Sequence, residues 1–60
     1  MEHYIITIEG PGFTDVDHVE LVRLPLEGEP IETKLGTCIV TATERLEDAN
    51  YDGRIVCRLA

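Results

Sequence analysis

Over most of the chain, apolar and polar side chains alternate in short runs separated by glycine and proline, the pattern of strands joined by turns. From His3 to Glu9, Tyr4, Ile6 and Ile8 share one face and Ile5 and Thr7 the other, which predicts a strand with a strongly apolar side. Gly10-Pro11-Gly12 ends it, because proline lacks the ladder N–H and the glycines accept positive φ.

The next stretch supports two readings. Thr14 and Asp17 have the spacing of a helix cap, and Val16, Val19 and Val22 follow at helical intervals. Against a helix, valines lose rotamer freedom there, and Val22, Leu24 and Leu26 alternate with Arg23, Pro25 and Glu27 as in an edge strand. Leu26 to Pro30 then reads as a turn. Ile31, Thr33 and Leu35 alternate with Glu32 and Lys34 in a short half-exposed strand, and Gly36 marks a bend or bulge.

Thr37 to Thr43 is the clearest strand, with Cys38, Val40 and Ala42 on the expected core face. Glu44 to Asp52 is a polar connection in which Glu44–Ala49 has room for one helical turn. Gly53 to Leu59 is a last strand, with Ile55, Cys57 and Leu59 inward and Arg54, Val56 and Arg58 outward.

Pairing 37–43 with 53–59 gives an antiparallel hairpin to which the first strand adds. The expected fold is mainly β, a single domain over residues 1–60. It is a small twisted antiparallel sheet of four or five strands, open or curled into a partial barrel. The alternative is an α+β domain with one short helix at about 15–24 packed on the sheet. In either, an exposed sheet edge is guarded by charge and Pro25 or used for binding.

Size sharpens this picture. Sixty residues lie near the limit at which one core offsets chain entropy, so stability must come from efficient packing, a cross-link or self-association. The 43% hydrophobic content is that of a folded domain. No stretch approaches the roughly 18–20 apolar residues of a membrane span, and Met1-Glu2-His3 does not open a basic-then-apolar signal, so a cytoplasmic location is expected. There, Cys38 and Cys57 are expected as buried thiols. A disulfide between them is the alternative, since both sit on core faces of neighbouring strands.

Charge is unevenly distributed. Residues 1–32 account for the whole net charge of −7, while in residues 33–60 acids and bases balance. Charge segregated along a chain is expected to be segregated over its surface and to attract a partner of opposite sign. Asp15, Asp17 and Glu20 form one acidic group and Glu27, Glu29 and Glu32 another; these six are the candidate partner-binding residues. Direct binding to nucleic acid or anionic lipid is disfavoured, because five basic residues form no cluster that offsets phosphate repulsion.

No pattern points to chemistry. His3, His18, Cys38 and Cys57 include no close pair of the kind that anchors zinc, so no metal or other cofactor is expected. The chain has no serine, neither cysteine has a base that the sequence places beside it, and catalysis is not expected. Gly10-Pro11-Gly12 lacks the lysine and further glycines of a phosphate loop.

The leading expectation is therefore a non-enzymatic protein that docks on a basic protein surface. Its acids would imitate a nucleic-acid backbone and so inhibit or regulate a nucleic-acid-handling enzyme. In size and charge the chain resembles small viral anti-restriction and anti-CRISPR inhibitors. The alternative is a self-associating structural module that pairs through an open sheet edge or the Tyr4, Ile6 and Ile8 face.

Overall fold

Tyr4, Ile6 and Ile8 project from one side of the first strand and are completely buried, together with Cys38, Val40, Ile55 and Cys57. These side chains line the inner face of one curled sheet. The computed structural model describes all residues, Met1–Ala60. Its elements are β1 (Glu2–Gly10), β2 (Phe13–Leu21), β3 (Pro30–Thr33), β4 (Gly36–Arg45) and β5 (Gly53–Leu59). They form a single five-stranded sheet in the order β2-β1-β5-β4-β3, a half-barrel without helix.

The sheet is mixed, not wholly antiparallel. The β1–β2 and β4–β5 pairs are antiparallel hairpins, as is β3–β4, but β1 and β5 run parallel, with Ile6 opposite Ile55 and Ile8 opposite Cys57. The parallel pair arises because the chain passes from β2, at one edge, to β3, at the other. Residues 22–29 make that passage as a strap, on which Pro25 is buried and Leu24 packs against the core.

Residues 15–24 contain no helix. Phe13–Leu21 is a strand in which Asp15, Asp17, Val19 and Leu21 share the inner face opposite Ile8, Ile6, Tyr4 and Glu2. The helical spacing of Val16, Val19 and Val22 is not used: Val16 points outward at 55% exposure, while Val19 packs on the core. A two-residue Pro11-Gly12 turn, with Gly12 at φ 80, forces the chain straight back along β1 and so decides between the two readings.

Other expectations shift locally. The third strand ends at Thr33, and Lys34 and Leu35 form a tight turn closed by Gly36 at φ 121. Glu44 and Arg45 continue β4 instead of starting a helical turn. Ala42 is exposed, not in the core, because Thr41 is an extra residue in β4: Val40 faces Cys57, whereas Ala42 faces Val56 and Thr43 faces Ile55. The displaced Thr41 hydroxyl donates to the Val56 carbonyl at 3.2 Å.

Cys38 and Cys57 form a disulfide across β4 and β5, with Cα atoms 5.6 Å apart, where two thiols were expected. Strand register brings them together, since Cys38 faces Leu59 and Cys57 faces Val40, making them diagonal neighbours on the inner face. With so few residues wholly buried, the cross-link adds to a core that is small for the chain it must order.

The chain-entropy model assigns a loop of this length roughly 3 kcal/mol. Reduction, or Cys38→Ala together with Cys57→Ala, is expected to lower unfolding stability by about that amount, read from urea midpoints with and without reductant. An unchanged midpoint would show that the bond contributes nothing.

Candidate functional site

The two faces of the sheet differ in what they leave available. The inner face is filled. On the outer face, Val16, Thr7, Val56 and Ala42 lie in one row across β2, β1, β5 and β4, with no layer covering them. The recesses around the molecule are open and shallow. The largest, about 380 Å³, lies at the β1–β2 turn between Phe13, Leu59, Glu9 and Arg58.

Both sheet edges are partly guarded. Val16 N–H donates to Asp15 Oδ1 and His18 N–H to Asp17 Oδ1, each at 2.9 Å, so these two edge-strand amides are capped by side chains. The second oxygens of the same aspartates face Lys34 Nζ, at 3.3 Å from Asp15 and 3.8 Å from Asp17. Lys34 belongs to the β3–β4 turn, so this clasp joins the two rims of the half-barrel. At the opposite edge, β3 is short and begins with Pro30, which has no N–H to offer.

The six acidic residues singled out in the sequence are dispersed. Asp15 and Asp17 lie on the inner face and are committed to Lys34. Glu20 lies on the opposite face, 3.5 Å from His3 Nδ1. Glu29 is clamped by both guanidinium nitrogens of Arg23, at 2.8 and 3.1 Å, and also accepts the Leu26 N–H at 3.0 Å. Glu32 accepts the Thr37 hydroxyl at 2.6 Å, and Glu27 has no cationic partner.

Two bases of the second half are shared with acids of the first. Lys34, from the neutral half, neutralises acids of the first half, and Arg45 likewise reaches Glu2 at 3.6 Å. Arg54 pairs with Glu44, directly opposite it in the β4–β5 register. Seven carboxylates are left without a Lys or Arg: Glu9, Glu20, Glu27, Glu32, Glu47, Asp48 and Asp52. Arg58 alone among the cations has no carboxylate within ion-pair distance.

Glu47, Asp48 and Asp52 lie in the β4–β5 connection, at the end of the sheet where β2 finishes with Glu20 nearby, whereas Glu27 lies farther along the strap, beside Gly28, which bonds to Val40 of β4. Sequence reasoning missed these three because Lys34, Arg45, Arg54 and Arg58 cancel them and Glu44 in a sum along the chain. In the sheet Arg54 faces Glu44 in register, whereas Arg45 faces Gly53 and reaches across to Glu2 of β1. Asp52 also ties this end together, its N–H donating to the His3 carbonyl at 2.7 Å and its Oδ2 accepting the His3 N–H at 2.9 Å.

Two ionisable groups depart from their usual behaviour. Burial first, and then the hydrogen bond to Glu2, push the Tyr4 phenol up to about 12, so Tyr4 is a neutral donor under physiological conditions. The hydrogen bond from Arg23, and then that from Leu26 N–H, hold the Glu29 carboxyl below the ordinary glutamate range. No protein-family model, characterised protein or solved structure matches the chain.

Because the Glu29 pKa is lower folded than unfolded, its contribution is complete above the unfolded value and is lost as pH falls through the folded one. The Leu26 amide resonance is expected to report this as an acid step centred below the ordinary glutamate range. Glu29→Gln should remove the step. A step at the ordinary glutamate value would dissociate Glu29 from Arg23.

Proposed function

We propose that this is a non-enzymatic, cytoplasmic binding protein that docks on a basic protein surface through carboxylates left free by its internal ion pairs. The supporting observation is the imbalance just described: all cations but Arg58 are consumed within the fold, whereas seven carboxylates are not. A field of one sign attracts and orients an oppositely charged partner, and a fold that has already neutralised its own bases does so without competition.

In this reading the partner is a protein whose basic surface serves nucleic acid, and the carboxylates stand in for phosphates to inhibit or regulate it. The contact set moves from the two acidic groups of the sequence to Glu20, Glu27, Glu47, Asp48 and Asp52. Asp15, Asp17 and Glu29 become structural. A reducing cytosol disfavours the Cys38–Cys57 disulfide, and what supports its persistence in the proposed location is burial, since reductant reaches the sulfurs only when the sheet opens.

Self-association through a sheet edge has less support. Two β2 amides, those of Val16 and His18, are capped by Asp15 and Asp17, β3 starts with proline, and Tyr4, Ile6 and Ile8 are used inside the chain.

The test compares proteins retained from lysate by the wild type and by a variant carrying Glu27→Lys, Glu47→Lys and Asp48→Lys, at low and moderate salt. Retention of one stoichiometric basic protein by the wild type is expected, weakening with salt and lost in the variant. Recovery of the same partner by both would reduce these acids to a solubility device.

A further inference from the structure

The strap over residues 22–29 is fixed along its length yet exposes apolar side chains. Arg23 clamps Glu29, and Pro25 is buried beneath the strap. Gly28 turns at φ 91 and donates its N–H to the Val40 carbonyl at 2.8 Å, while the Glu29 carbonyl accepts the Val40 N–H at 2.9 Å. Even so, Val22 is 80% exposed and Leu26 68%.

A loose segment exposes apolar groups because nothing orders it. One held by a bidentate ion pair and backbone bonds to a neighbouring strand presents them in a defined geometry, which lowers the entropy lost when a partner orders against it. Val22 also lines a shallow recess of about 130 Å³, floored by Leu21, Pro25 and Ile31, in which an apolar side chain can lodge.

Charge on the strap selects the company such a side chain must keep. Glu27, next to Leu26, has no cationic partner, and the only base present, Arg23, is neutralised by Glu29. The complement is a segment carrying both apolar and basic residues.

We propose that the strap is the recognition element of this protein, and that it takes a basic amphipathic segment of the partner. Val22 and Leu26 make the apolar contacts and Glu27 the ionic one, while Arg23 and Glu29 are positioning residues. The proposal rests on the basic-partner reading above and deepens it from charge alone to charge with apolar anchors.

Two synthetic peptides of equal length and charge, one of alternating Lys and Leu and one of alternating Lys and Ser, are titrated into the isotopically labelled full chain. The protein is either wild type or V22S/L26S. Both substituted residues are exposed, and the remaining amide resonances report that the variant is folded.

Expected for the wild type is binding of the Lys/Leu peptide at least about tenfold tighter than the Lys/Ser peptide, with shifts confined to 22–29 and Ile31. The variant should abolish that preference. Equal, salt-sensitive binding of both peptides, with shifts spread over the carboxylates, would overturn the strap and leave charge-driven docking intact. Binding of neither peptide would overturn both readings.

Discussion

A sheet with one apolar face must cover that face, and this chain has no second layer to do it. Every other feature of the fold answers that constraint. The sheet curls so that Tyr4, Ile6, Ile8, Val40 and Ile55 face one another, and the disulfide joins two neighbouring strands across the middle of that surface. Leu24 and Pro25 of the strap close one part of the opening, and the clasp from Lys34 to Asp15 and Asp17 draws the rims together. Sixty residues can order in this way because the curl lets one sheet serve as both walls of its core.

The same curl redistributes charge. Ion pairs form between residues far apart in the chain but near in the sheet, so the acidic first half gives up Glu2, Asp15 and Asp17 to bases of the second. The aspartates of β2 each serve two purposes, one oxygen occupying an edge amide and the other facing lysine. A carboxylate used in this way protects the sheet from pairing with another chain, and it is no longer free to meet a partner. The negative field that remains comes largely from turns and the sheet end.

The strands themselves were legible because alternation over His3–Glu9, Thr37–Thr43 and Gly53–Leu59 is a local signal, and Gly10-Pro11-Gly12 and Asp52-Gly53 punctuate it. The parallel β1–β5 pair was not legible, since it depends on where the strap delivers the chain, which no local pattern states. Residues 15–24 were ambiguous for a physical reason: the inner face of β2 holds two aspartates where an ordinary strand would show apolar residues, and they are tolerated there because they sit half-buried at the rim and meet Lys34. The acidic groups were correctly located in the chain and incorrectly grouped in space. Glu20 falls on the face opposite Asp15 and Asp17 by strand parity, and Glu29 is consumed by Arg23.

The extra residue at Thr41 gives β4 a property that a regular strand lacks. Upstream of it, Cys38 and Val40 face the core; downstream, the parity of the strand is reversed, so that Thr43 turns inward and Glu44 meets Arg54. A regular ladder that took Thr41 into pairing with Val56 would exchange the two faces for all that follows, exposing Thr43, burying Ala42 and setting Glu44 opposite Gly53. Left outside the ladder, the one extra residue lets a strand whose inward side chains pass from even to odd positions keep Thr43 on Ile55 and Glu44 on Arg54.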